Sequence, residues 1–444
     1  MANELKTHPT VVQFYKQPPV RSSNDLDAAW VRELCLSAGA DDAGFVAIDR
    51  PELDPQRADI LKAFPRTRAL ISFVVRMNRE PIRSTARSIA NYEFHVASDE
   101  AAIIGHEIVA ALERQGVGAI NPSVGFPMEA SNFPGKTWVV SHKPVAVAAG
   151  LGQIGIHRNV IHPVFGNFIL LGTVLVDRPI SEHSQPIEYN PCLECKLCVA
   201  ACPVGAIGSD GSFDFSACFT HNYREFMGGF SDWLDQVIES RSPNEYRQRV
   251  NDGETASMWQ SLSSGPNYKA AYCIAVCPAG SDVIGPFLTN RKEFVQEVVR
   301  PLQQKVEPVY VVADSDAELH AKKRFPHKII RRVGSGIRVG SIEGFLSNLH
   351  IVFKKHRAAK LNLTYHFSFT GEEPAEATII IREGTLQVER GHHGVADLRI
   401  QADSRTWVRF LRKETRIAWA LIGRKIQISG SPQLLQRFGE CFAT

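Results

Sequence analysis

Residues 192–203 read Cys192-Leu-Glu-Cys195-Lys-Leu-Cys198-Val-Ala-Ala-Cys202-Pro203, a C-x2-C-x2-C-x3-C-P run. Three thiolates on one tight loop each reach a separate iron of one cubane, while the fourth starts a helix and points at a second cluster. Pro203 suits the first turn of such a helix, where its missing N–H has no partner to lose. Zinc favours two separated C-x-x-C knuckles, so this spacing argues for iron and sulfur. A partner run is expected, and Cys273 with Cys277-Pro278 supplies its last two members, Cys218 standing alone as a third. By the crossover rule Cys277 completes a [4Fe–4S] cluster with Cys192, Cys195 and Cys198. The second cluster then has Cys202, Cys218 and Cys273, and Ala270 occupies the place of a further cysteine. Three closures are open: a [3Fe–4S] form, a [4Fe–4S] form with a non-cysteine ligand such as His221, or a thiolate borrowed from Cys35 or Cys441.

The rest of the composition frames that segment. A chain of 444 residues is long enough for about three domains at roughly 150 residues each. With 44% hydrophobic and 22% charged residues it is neither disordered nor fibrous, and a net charge of +3 is small for a strongly basic nucleic-acid binder. The start, MANELKTHPT, lacks a basic-then-apolar leader, and no apolar run approaches the ~20 residues of a membrane span. A cytoplasmic location is expected, where seven cysteines gathered between Cys192 and Cys277 serve as metal ligands and not as disulfides.

Upstream, residues 1–20 look like an arm carrying Pro9, Pro18 and Pro19. Residues 21–183 alternate helical and strand-like stretches, which predicts an α/β domain. Ser23 or Asn24 caps a first helix bearing Cys35 on its core face, Ala69–Val75 reads as a buried strand, and Ser98–Gln115 as an amphipathic helix. Val139–Val147 is ambiguous, and 116–135 is a loop suited to a pocket wall. The cysteine segment fills 184–300, with a helix over Glu293–Arg300. Residues 301–340 form a basic linker, since Lys322, Lys323, Arg324, Lys328, Arg331, Arg332 and Arg338 cluster there beside Gly334, Gly336 and Gly340. Residues 341–444 switch to an α+β pattern: a helix over Ile342–Lys355, strands over Leu363–Phe369, Ala377–Arg382, Thr385–Glu389 and Asp397–Ala402, and a helix over Ser404–Arg412.

Ala148–Ile180, AAGLGQIGIHRNVIHPVFGNFILLGTVLVDRPI, read together with the cysteine run that follows, resembles the epoxyqueuosine reductases and reductive dehalogenases over roughly residues 25–300. That resemblance implies a nitroreductase-like first domain binding cobalamin with its lower ligand detached, and a two-cluster ferredoxin-like domain feeding electrons to cobalt. Gly150, Leu151, Gly152 and Gly155 match the family's A-G-L-G-x-x-G segment, and glycine allows backbone to approach a large flat ligand. A dinucleotide fingerprint is the rival reading, and it lacks the preceding strand and the downstream acid. Asn91–His95 resembles the family's Asp-Tyr-His segment near the corrin, which places Tyr92 and His95 there. The chain departs from the family at its proton donor: Ser141-His142-Lys143-Pro144 stands where an acidic residue precedes a proline. Ile156 also replaces the basic residue after the glycines. Tyr92, His142, His157 and Arg158 are therefore the candidates for proton supply and anion binding.

The last hundred residues resemble the sterol carrier protein fold through Tyr365-His366-Phe367, Arg382-Glu383-Gly384, Asp397, Trp407 and Gly423–Ile426. That likeness implies helices over a sheet around an apolar tunnel, with a solid core as the alternative. It argues for an apolar or aromatic small-molecule substrate and against transfer RNA. The expected activity is a cobalamin-dependent reductase, of reductive dehalogenase type or a related cleavage, fed by a ferredoxin or flavodoxin. The rivals are an electron-transfer protein serving a partner enzyme and a lipid-binding redox sensor.

Overall fold

The computed structural model describes residues 6–16, 25–122, 138–336 and 338–442. The chain divides into two compact units. Met1–Ser84, Tyr92–Cys195 and Cys277–Arg291 make the first; Thr85–Asn91, Lys196–Val276 and Lys292–Thr444 make the second.

In the first unit the apolar run Ala69–Arg76, buried at all but its last position, is an inner strand of a four-stranded sheet. It pairs with Asp42–Ala47 on one side and Ile169–Val176 on the other, and Ala119–Ile120 adds the far edge. Helices and strands mix as expected, but every pairing is antiparallel, so the sheet lacks the parallel order of a wound α/β domain. Gly172 faces Phe73 across this ladder because a β-carbon there would strike the ring. Helix Ala28–Ser37 is capped by Asp27, whose carboxylate accepts from the Trp30 N–H at 2.7 Å; Ser23 and Asn24 lie outside the described residues. Cys35 on its inner face is fully buried, and burial pushes its thiol to about 12. Val139–Val147 resolves as a helix over His142–Ala148. Helix Arg87–Arg114 begins before the expected Ser98, so Tyr92 and His95 stand on a helix. Pro9–Lys16 of the expected arm is helical and buries none of its residues.

The second unit contains a five-stranded sheet in the order 385–390, 375–382, 362–370, 398–403, 426–429; the first four lie within about two residues of the expected strands, and 426–429 adds one the sequence reading did not assign. Its core is filled by rings. The rings of Phe345, Phe367 and Phe369 each lie within 6.0 Å of Trp407, and Phe438 sits 5.0 Å from Tyr365 and 5.3 Å from Phe367. Close-packed aromatics therefore occupy the interior where a tunnel was the first expectation.

Residues 301–340 are not a linker. Pro308–Val311 pairs in parallel with Ile329–Arg332, and helix Asp316–Arg324 connects them. Each of several basic residues that gave the stretch its linker-like composition has an acid to hold: Lys322 and Arg332 bind Glu318 at 2.5 and 2.8 Å, Arg331 binds Glu254, and Arg338 binds Asp235. Burial raises the Glu318 carboxyl, yet its hydrogen bonds from Lys322 and Arg332 hold it down at about 2. The expected helix before Pro301 continues through it. The turn Val295–Val299 widens to a π-helix, in which Arg300 N–H donates to Val295 O, and Arg300–Gln304 follows with proline in its first turn.

Candidate functional site

The cysteine loop is built by backbone conformation. In the first unit Glu194 adopts φ +52°, and in the second Lys196 adopts +54°. Such left-handed residues are uncommon without glycine and turn the chain sharply between ligands. Lys196 caps helix Leu197–Ala201, which carries Cys198 and ends at Cys202. Cys202 thus closes a helix and does not start one, as the spacing had led us to expect. Its sulfur collects the amides of the turn that follows: Ala206 N–H donates to Sγ at 3.3 Å, and Val204, Gly205 and Ile207 N–H groups also favour its thiolate against the burial that raises it. Helix Tyr272–Ala275, which carries Cys273, repeats the device with Ala271 at φ +51°.

Cys218 lies on helix Phe215–Asn222, capped by Asp214. The next residue, half-buried Tyr223, feels the charge of both Cys218 and Cys273. Burial and those neighbours push its hydroxyl well above the ordinary range. Ala270 is held by Asn222, whose side-chain oxygen accepts from Ala270 N–H at 3.0 Å and Ala271 N–H at 2.7 Å. Three thiolates of the second unit, on Cys202, Cys218 and Cys273, suit a cluster by donor chemistry and by the amides aimed at Cys202. Among the described residues no three His, Cys, Asp or Glu groups converge on a point that would hold one metal ion. A cubane distributes its thiolates over separate irons, which asks for wider spacing.

Of the other ligands open at Ala270, His221 keeps one ring nitrogen, since its buried Nε2 has no hydrogen-bond partner among the described residues, while the two cysteines lie in apolar cores. His221 is buried, its Nδ1 accepts from Tyr310 N–H at 3.3 Å, and burial lowers it to about 4. Cys35 belongs to the first unit's core, and Cys441 is 1% exposed in the core of the five-stranded sheet, its thiol pushed to about 11 by burial.

In the first unit Cys192 Sγ accepts from Ile156 N–H at 3.3 Å, while Cys192 N–H donates to Asn190. Cys277 is buried against Ile161 and Ala279. Gly166, at φ +63°, admits the Ala279 carbonyl where a β-carbon would collide. Ser281 and Asp282 N–H groups donate to Pro163 and Val164 carbonyls. This clasp ties the segment after Cys277 to the 162–166 turn.

The glycine segment is used differently from the sequence expectation. At Gly150, φ +71°, the missing β-carbon leaves room for the Gln185 carbonyl; at Gly152, φ +154°, for the Ile161 carbonyl; at Gly155, for Ile161 and His157. The glycines fold the loop upon itself, and Leu151 is buried beneath it. His157 is buried in this hairpin: Nδ1 accepts from Asn159 N–H and Nε2 pairs with the Asn167 amide at 3.2 Å. Burial lowers it to about 4. Arg158, exposed at φ +64°, offers its carbonyl to Lys143 at 2.8 Å. His142 Nδ1 pairs with Thr173 Oγ1 at 2.8 Å, its Nε2 is buried with no partner among the described residues, and burial lowers it to about 4. Tyr92 is 73% exposed, one turn from half-exposed His95 and exposed Val96 on its helix. Most of the loop at 116–135 lies outside the described residues.

With that geometry in place, three comparisons bear on the chain. Residues 351–443 match the SCP-2 sterol transfer family. Over 102 residues, 23% of this chain and 26% of the relative, it is 32% identical to the epoxyqueuosine reductase of Escherichia coli (strain K12). Over 182 residues, 40% of this chain and 39% of the relative, it is 26% identical to the epoxyqueuosine reductase of Bacillus anthracis. The match thus spans about a quarter of the Escherichia coli relative's length. Among solved structures, the catabolic reductive dehalogenase NpRdhA aligns over 40% of this chain and 25% of its own, with 19% identity and a TM-score of 0.32. The epoxyqueuosine reductase from Streptococcus thermophilus aligns over 67% and 80%, with 16% identity and a TM-score of 0.34. No helix among the described residues is long and apolar enough to cross a membrane.

Proposed function

We propose that the chain is an iron–sulfur reductase that delivers electrons through two clusters to a bound corrin and reduces an apolar or aromatic small molecule. The observation that carries this reading is the Cys202 turn, where a buried sulfur is met by successive backbone amides, the arrangement that stabilises a thiolate ligand. Cys192, Cys195, Cys198 and Cys277 would hold the first cluster, and Cys202, Cys218 and Cys273 the second. A corrin, when bound, supplies a strongly reducing metal centre. Its support is the likeness to epoxyqueuosine reductases together with the exposed face bearing Tyr92 and Val96, which suits a broad ring. The glycines offer no independent support, because the space beside each is taken by protein atoms: the Gln185 carbonyl at Gly150, and Ile161 at Gly152 and Gly155.

For the proton, Tyr92 has the accessible O–H. His142 is held neutral near pH 7 by burial and acts as an acceptor or relay, while His157 fixes the hairpin. Arg158 presents a guanidinium to an anionic group. The sterol-carrier-like segment supports an apolar substrate.

Anaerobic reconstitution tests the reading: two clusters per chain and a base-off cobalamin spectrum are expected, and clusters without corrin affinity leave an electron-transfer protein. The names of the curated relatives favour a second reading, reduction of epoxyqueuosine. Conversion of an epoxyqueuosine-bearing stem loop by reconstituted protein would establish it over the first.

A further inference from the structure

Within the second unit, Cys273 follows a tyrosine that is 1% exposed. The Tyr272 hydroxyl donates to Glu307, 2.8 and 2.7 Å from its two oxygens. Lys328, whose side chain is wholly buried, donates to the same carboxylate at 2.7 Å and to the carbonyls of Lys305 at 2.8 Å and Leu302 at 3.3 Å. Lys305 Nζ stands 3.2 Å from Glu307. The buried Arg87 guanidinium lies 5.4 Å from the centre of the Tyr272 ring and is electrostatically coupled to Glu307 and Cys273. Three cations thus surround one carboxylate beside a ligand cysteine. Buried ion pairs seldom stabilise a fold better than apolar side chains of equal volume, so an interior excess of positive charge calls for another reason.

We propose that Arg87, Lys328 and Glu307 form a fixed-charge setting that raises the reduction potential of the cluster held by Cys202, Cys218 and Cys273. The reduced cluster carries one more negative charge than the oxidised one, and a net positive surrounding of low polarisability favours it. These residues act through space as positioning charges, and the inference rests on the cluster reading given above.

The test is a dithionite titration of the anaerobically reconstituted full chain, read by electron paramagnetic resonance with iron content measured in parallel. Lys328→Met should weaken reduction about tenfold, and Glu307→Gln should strengthen it about tenfold, each about 59 mV for one electron. Tyr272→Phe, which leaves every charge in place, should shift it far less. Potentials that stay at the wild-type value, or move the same way in Lys328→Met and Glu307→Gln at unchanged iron content, overturn the inference. Where Lys328→Met fails to fold, the isosteric Glu307→Gln decides alone: a rise supports the setting and no change overturns it. Failure of the wild-type chain to take up iron removes the cluster reading itself, and is seen before any titration begins.

Discussion

At residue 270 a methyl group stands where a thiolate would complete the second cluster, and Asn222 clamps the amides on either side of that carbon. The backbone is thus already held in place for a ligand that the side chain does not supply. Ala270→Cys should add one iron per chain and abolish a three-iron resonance; iron analysis and paramagnetic resonance of fresh protein check it, and an unchanged spectrum would count against the assignment. Tyr92→Phe removes the exposed O–H and should lower kcat about a hundredfold with little change in corrin binding. His142 makes a stability prediction. Burial lowers its folded pKa to about 4 from an unfolded value of 6.5, so the unfolded chain binds the proton first as pH falls. Its contribution is intact above about pH 6.5 and declines towards 4, by at most about 3 kcal/mol. Thermal unfolding measured from pH 7 to 5 should show this slope, and His142→Gln should flatten it.

Elements differ in how plainly the sequence announced them. The strands of 362–403 were legible because alternate residues such as Tyr365, Phe367 and Phe369 are buried on one face, and the pleat makes that alternation unavoidable. The β-α-β element at 308–332 was illegible for a physical reason: the acids that neutralise Arg331 and Arg338 stand 77 and 103 residues away, and composition in a window cannot see them. The glycine loop also has a local explanation, since positive φ and the close Gln185 and Ile161 carbonyls account for Gly150 and Gly152. Two tests belong here. Glu318→Ala should cost no more than about 1 kcal/mol, because Lys322 and Arg332 are more than half exposed and stay solvated when unpaired, visible in chemical denaturation. Gly166→Ala should cost about 2 kcal/mol or more through strain at positive φ and collision with Ala279, and it should loosen the first cluster as seen by faster iron loss to a chelator.

For the whole molecule, the cysteine motif was readable from spacing, whereas the charged surroundings of Cys273 were not, because Arg87, Glu307 and Lys328 come from distant stretches. Between Cys218 and Cys273 the chain inserts three helices, Met227–Glu239, Pro243–Arg249 and Asp252–Ser264. Under the proposed ligation that insertion would make the second cluster a topological staple. Joining residue 202 to residue 273 closes a loop of 71 positions, their difference in number, and by analogy with a disulfide such a closure removes about 4 kcal/mol of chain entropy from the unfolded state. Metal delivery and folding of the helical insertion would then be one event. The chain before cluster loading should be cut by protease within 227–264 and become resistant on reconstitution, in which case the supply of iron and sulfide would set how much of this protein survives.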